Sequence, residues 1–191
     1  MPTLTVITLA LKLSLMLVPG LGPNTSLAAH ADLDGEGAAM RLGRKTAHHA
    51  SLIAPAGQDF FGLQMIVRHG NPCQIRAFFD GAPPRVAQYC AGRITRRHVD
   101  NARYAVLEPG DRVNGLAVCM ADDDRIGALR LYTFSGAAVT ARAEACVTEY
   151  RAVWCRSGWR VQGVQLYFDR AAGGMSHARL VGLRPLCADA G

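Results

Sequence analysis

From Phe60 onward the chain is written in short apolar or alternating runs separated by turn-forming clusters. Phe60 to Val67 has the composition of a buried strand, and Arg68-His69-Gly70-Asn71-Pro72 turns it. Cys73 to Phe79 alternates and reads as the return strand. Asp80-Gly81-Ala82-Pro83-Pro84 is a second turn, and Arg85 to Cys90 a third strand. Ala91 to Asn101 is polar and basic and reads as an exposed loop before a strand at Ala102 to Leu107. Glu108-Pro109-Gly110-Asp111 is a strong turn, because proline presets one dihedral and glycine allows the next. Arg112 to Met120 then places Val113, Gly115, Ala117 and Cys119 on one face. Arg125 to Phe134 sends Leu129, Leu131 and Thr133 one way and Ala128, Arg130, Tyr132 and Phe134 the other. Ala137 to Thr148 is Ala-rich, so helix and strand compete there. Val139, Thr140 and Val147 favour a strand. Tyr150 to Trp154, Trp159 to Asp169 and His177 to Cys187 complete the series, with Ala171-Ala172-Gly173-Gly174 in the last turn. About ten strands with turns every 8–12 residues predict an all-β domain, a sandwich, barrel or prism.

The N-terminal part has a different texture. Leu13 to Leu21 is a short apolar core preceded by Lys12, and Ala29-His30-Ala31 has the small-x-small form of a processing site. Residues 1–31 therefore read as a signal peptide, too short for a span of roughly 20 apolar residues. Residues 32–58, rich in Gly, Ala and charge, read as a loose N-terminal arm, and 59–191 as one all-β domain. The six cysteines, Cys73, Cys90, Cys119, Cys146, Cys155 and Cys187, all follow the signal segment. An even count in an exported chain predicts three disulfides and a secreted or periplasmic product.

Two internal echoes are visible. Arg125 to Tyr132 overlays Arg160 to Tyr167, and Asn114 to Asp122 overlays Val181 to Asp189, with a fainter Gly-Leu echo at Gly62-Leu63. Strand glycines at matching points imply close contacts made repeatedly. If each unit is closed by its own bridge, the pairs run in order, Cys73–Cys90, Cys119–Cys146 and Cys155–Cys187. The rival set joins Cys146 to Cys155 and Cys119 to Cys187. The unit from Cys155 through Val161-Gln162-Gly163-Val164-Gln165-Leu166 and a Gly-rich turn to Cys187 resembles the repeats of the vitelline membrane outer layer protein family. That resemblance implies a β-prism of three sheets and contact with glycans. The acidic-acidic-Thr-Ala-x-Asn type sequence of the family's closing strand is missing at Met175 to Leu180.

Charge adds a bias rather than a function. The net charge is +6, and the basic residues are almost all arginine. Attraction to an anionic glycan or envelope component follows, and export argues against nucleic acid. Arg93, Arg96, Arg97 and His98 form the densest basic cluster. Trp159, Tyr167 and Tyr132, with Trp154, are the rings whose faces suit sugar stacking. Trp159 is the best placed of them, following the Ser157-Gly158 turn.

Catalytic and metal signals are sparse. His48, His49 and His69 lack zinc-ligand spacing, and Asp122-Asp123-Asp124 lacks the alternation of a calcium loop. Ser157 is not in a Gly-x-Ser-x-Gly setting, and Ser176 beside His177 defines no triad. No cofactor is expected. The reading is a non-catalytic binding domain for a carbohydrate or cell-envelope component. The alternatives are a protein-protein module (inhibitor, immunity-type protein or effector subunit) and an exported hydrolase that would use carboxylate pairs such as Glu144 with Glu149 or Asp169 with Glu108.

Overall fold

The computed structural model describes residues 41–68, 70–108, 110–169 and 178–191. The expected signal peptide, the start of the arm, His69, and Ser176-His177 lie outside the described residues. Twelve strands form three antiparallel four-stranded sheets. One holds β3 (Phe60–Arg68), β4 (Asn71–Phe79), β5 (Ala82–Gln88) and β6 (Arg103–Val106), in the order β5-β4-β3-β6. The next holds β7 (Val113–Met120), β8 (Ile126–Thr133), β9 (Ala138–Arg142) and β10 (Arg151–Trp154), in the order β10-β7-β8-β9. The third joins the two ends of the chain: β11 (Trp159–Asp169) and β12 (Arg179–Asp189) lie between β1 (Leu42–Gly43) and β2 (His48–Ile53), in the order β1-β12-β11-β2. This is the β-prism alternative, not the sandwich.

Each sheet is a Greek key in which the fourth strand returns beside the first. In the third sheet the last two places are filled by β1 and β2. Residues 42–43 and 48–53, expected in a loose arm, are therefore strands. Leu42, Leu52 and Ala54 are buried, and β2 pairs with β11 from Gly163↔Ile53 to Phe168↔His48. Their apolar positions are too sparse to announce a strand locally; the partner 115 or so residues away supplies the ladder.

The inner faces meet in one core that includes Leu63, Met65, Ile75, Leu116, Leu129, Leu131, Val164, Leu166 and Leu183. Burying each such side chain contributes about 1.5–3 kcal/mol. The alternation expected for β8 is seen: Leu129 and Leu131 are in the core, while Arg130 and Tyr132 are half-buried on the outer face. For β7 it is shifted. A bulge between Val113 and Gly115 puts Val113 in phase with Leu116 and Val118, so Val113 does not share a face with Gly115, Ala117 and Cys119.

The repeat is real, but its phase differs from the expected overlay. Topology equates β3, β7 and β11, not β8 with β11 or β7 with β12. The matching text is Phe60-Phe61-Gly62-Leu63-Gln64-Met65, Val113-Asn114-Gly115-Leu116-Ala117-Val118 and Val161-Gln162-Gly163-Val164-Gln165-Leu166. In all three strands the pairing shifts just before the glycine and again four to five residues beyond it. Each glycine faces the sheet's fourth strand, as Gly62↔Val106, Gly115↔Trp154 and Gly163↔Ile53. The residue before each glycine accepts a backbone hydrogen bond from the residue that immediately follows that fourth strand: Leu107 to Phe61 (3.0 Å), Cys155 to Asn114 (2.8 Å) and Ala54 to Gln162 (2.8 Å). A Cβ on Gly115 would strike the Trp154 indole, and one on Gly62 would come within 2.9 Å of Val106.

Three smaller differences have simple causes. Pro83 and Pro84 belong to β5, an edge strand, where a missing N–H donor is tolerated. The segment expected as a loop at 91–101 contains a short helix, α1 (Arg96–Asp100), capped by Thr95. Strand β9 ends at Arg142, and the rest of the Ala-rich run turns away to bring Cys146 to Cys119. The three disulfides are the in-order set, Cys73–Cys90, Cys119–Cys146 and Cys155–Cys187.

Candidate functional site

The strand directions sort the connections between two ends of the prism. The β1–β2, β3–β4, β5–β6, β7–β8 and β9–β10 connections lie at one end, called here the turn end, together with the close of β11 and the start of β12. The β2–β3, β4–β5, β6–β7, β8–β9 and β10–β11 connections lie at the other with the C-terminal Ala190 and Gly191.

The turn end carries a continuous chain of opposite charges. Arg44, in the β1–β2 turn, bonds Asp169 at the close of β11 (2.5 Å). Asp169 also meets Arg179, which opens β12 (3.2 Å), and Arg179 reaches Asp123 in the β7–β8 turn, at its backbone oxygen (3.1 Å) and its carboxylate (3.4 Å). Asp123 meets Arg125 at 2.9 Å, and Arg125 pairs with Glu144 beyond β9. Thr46 Oγ1 lies 2.6 Å from the Phe168 carbonyl, tying the first turn to the end of β11. Asp124 takes a left-handed φ of 62°, which tightens the turn that presents Asp123. The hydrogen bond from Arg44 holds the Asp169 carboxyl below the usual aspartate range, with Arg179 adding to the effect against a smaller opposing cost of burial. The Asp169 side chain stays 25% exposed and that of Asp123 38%, so both carboxylates remain within reach of solvent. Each carboxylate has room for further hydrogen bonds beyond those to arginine.

The residues singled out from the sequence do not converge. Trp159 is half-buried at the opposite end, with the Arg156 guanidinium 3.6 Å above its ring. Tyr167 is buried, its hydroxyl bonded to Gln165 (2.8 Å), and offers no open ring face. Tyr132 is half-buried beside Trp154, with ring centroids 4.7 Å apart, on the outer face of the β7–β10 sheet. Trp154 is the more open of that pair, 48% exposed over Gly115. Arg93, Arg96 and Arg97 are exposed on the β5–β6 connection at the turn end. They therefore lie at the far end of the prism from Trp159.

Other candidates separate in the same way. Asp169 and Glu108 belong to opposite ends, and Glu144 is committed to Arg125. Asp123, in the acidic triplet, faces two arginines, which occupy the place a cation would need. His48 and His49 are exposed strand residues. Among the described residues no group of three or more His, Cys, Asp or Glu side chains could hold a metal ion, and no helix is long and apolar enough to cross a membrane. Arg44, Asp123, Arg125, Asp169 and Arg179 were missed as a set. Their local text is ordinary turn chemistry, and the only signal that could have found them is their common position after strands that run the same way.

No protein-family model matches the chain, and no curated protein matches it in sequence. The resemblance to the vitelline membrane outer layer family is thus not carried beyond the prism. Solved structures do share the fold. Calystegia sepium agglutinin is similar with a TM-score of 0.55 at 10% identity, over 78% of this chain and 93% of its own. A prostate-specific WGA16 glycoprotein lectin is similar with a TM-score of 0.52 at 12% identity, over 77% and 97%. Calsepa lectin in complex with a biantennary N-glycan gives 0.54 at 11%, over 78% and 93%. These likenesses establish the β-prism lectin-like fold of the chain.

Proposed function

We propose that this protein is a secreted or periplasmic carbohydrate-binding domain without catalytic activity, and that it takes its ligand at the turn end. The observation that carries this reading is the Arg44–Asp169–Arg179–Asp123–Arg125–Glu144 chain spread over several turns. Sugar hydroxyls come in adjacent pairs that both donate and accept. A carboxylate flanked by guanidinium groups offers fixed acceptors and donors at matching spacing, and its partners keep it charged and oriented before the ligand arrives. The lectins among the structural neighbours, one with an N-glycan bound, support the class of ligand. Three disulfides support an oxidising compartment.

The test is a glycan array followed by calorimetric titration of the responding sugars. Binding is expected for at least one glycan. Asp169→Asn, which keeps the shape and removes the charge, should weaken it on the order of tenfold, as for a hydrogen bond to a charged group worth about 1.5–3 kcal/mol. No response across the array at millimolar sugar would sink the proposal. A second reading, a protein-protein module, has one observation in its favour. The outer face of the β3–β6 sheet exposes Val86, Tyr104 and Val106 by 47%, 52% and 36%. A stable co-purifying partner released by Tyr104→Glu would favour it.

A further inference from the structure

Several arginines of the described residues are taken up by their neighbours. Arg44, Arg112, Arg125, Arg160 and Arg179 are in ion pairs, and Arg130 and Arg156 lie over aromatic rings. Arg93, Arg96 and Arg97 stand within five consecutive positions, all exposed, and among the described residues no ion pair, ring or carbonyl takes up their guanidinium groups. Asp100 is the only acid in the segment and is itself exposed. Three like charges this close repel one another unless an anion answers them.

The segment that carries them is held firmly. The Cys73–Cys90 disulfide and the Tyr89 N–H to Cys73 carbonyl bond (3.1 Å) anchor its start. The Arg68 guanidinium donates to the Ala91 carbonyl (2.6 Å), and the Gln88 amide donates to the Gly92 carbonyl (2.9 Å). Gly92 takes φ 94°, a turn conformation suited to glycine. Thr95 and His98 close the first turn of α1 on each other (2.7 Å), and Asn101 donates to the Arg97 carbonyl (2.9 Å). Buried Ala102 fixes the exit. The three arginines thus project from a pinned scaffold, which reduces the ordering cost of binding.

The segment also adjoins the carboxylate chain. Arg68, bonded to Ala91, precedes the β3–β4 turn. In that turn a Cβ added to Gly70 would lie 3.4 Å from the Glu144 carboxylate. The turn end therefore offers paired carboxylates on one side and unanswered guanidinium groups on the other.

We infer that the ligand of this end is an acidic polysaccharide, its hydroxyls bound along the carboxylate chain and its anionic groups held by Arg93, Arg96 and Arg97. This rests on the carbohydrate reading above and names the class of sugar. A densely charged phosphate surface would meet Asp169, Asp123 and Glu144 as repulsive neighbours. A polysaccharide with spaced carboxylates or sulfates and many neutral hydroxyls suits both halves. The guanidinium fork matches carboxylate and sulfate oxygens alike.

The test compares polygalacturonate and heparin with fully methyl-esterified polygalacturonate and with phosphatidylglycerol vesicles, at low and physiological salt. The wild-type chain should bind at least one acidic polymer on the order of tenfold or more tighter than the esterified one, and salt should erode the preference. Arg93→Gln, Arg96→Gln and Arg97→Gln together should abolish the preference without lowering the melting temperature, and Arg93→Lys, Arg96→Lys and Arg97→Lys together should retain part of it. Equal binding of charged and esterified polymer, a preference that survives the triple change, no binding of either acidic polymer, or equally tight binding to the vesicles would each overturn the inference. Asp169→Asn separates the two readings, since it should weaken charged and esterified polymer alike. A chain that still answers neutral glycans on the array while showing no acidic preference keeps the carbohydrate reading and loses this one.

Discussion

Asp169 shows how a single side chain can be both structural and available. Its carboxylate accepts from Arg44 in the first turn and Arg179 in the last strand, which joins the two ends of the chain across the turn end. Because its native pKa lies below the unfolded value, its contribution to stability is fully present above the unfolded value of about 3.9 and is lost as pH falls through the lowered native one. Asp169→Asn should therefore melt lower than wild type near neutral pH, with the gap closing in acid as the wild-type carboxyl protonates. Thermal melts of both chains from about pH 7 to pH 2 measure this. A gap independent of pH would mean that the residue acts through shape and not charge. Gly115 teaches a different lesson at the same scale. Its φ is not left-handed, so the backbone does not demand glycine; the Trp154 ring lying on it does. A strand glycine was readable as a mark of close approach, but the ring that approaches is 39 positions away and could not be named from local text.

At the scale of elements, most strands were legible because alternation and turn residues are local signals. What misled was phase. The bulge before Gly62, Gly115 and Gly163 flips the side-chain alternation, so the Arg125 and Arg160 runs look alike although they occupy different places in their sheets. The arm failed for another reason: β1 is two residues long and β2 is half exposed, and both exist only because β11 and β12 offer open edges. The Cys155–Cys187 bridge also does more than close a hairpin. Cys155 immediately follows β10, so the bond fastens the second sheet to β12 of the third. Replacing both cysteines by serine should lower stability by about 2–4 kcal/mol in a denaturant titration. A loss below about 0.5 kcal/mol would mean that the β11–β12 pairing and the Cys155 to Asn114 backbone bond hold the corner unaided.

At the scale of the molecule, the class of fold was visible from strand spacing, but the candidate site was not. Its members span Arg44 to Arg179 and are assembled only by topology, with Arg44 and Asp169 separated by 125 positions. Closure of the prism depends on the N-terminal strands, since β2 covers β11 and meets β5 of the first sheet. A chain cut to begin at Ala54 would expose the β11 edge and should lose the single cooperative thermal transition of the intact protein, as followed by circular dichroism. A sharp transition in the shortened chain would show that two Greek keys and a hairpin suffice. The order of the disulfides has a further consequence. Of the 15 ways to pair six cysteines, the observed one alone joins each odd-numbered cysteine to the next to appear. An oxidase that acts vectorially, linking thiols two by two as the chain emerges N-terminus first, would reach the native pattern with no exchange afterwards. For this chain, oxidative maturation and the direction of biosynthesis point the same way.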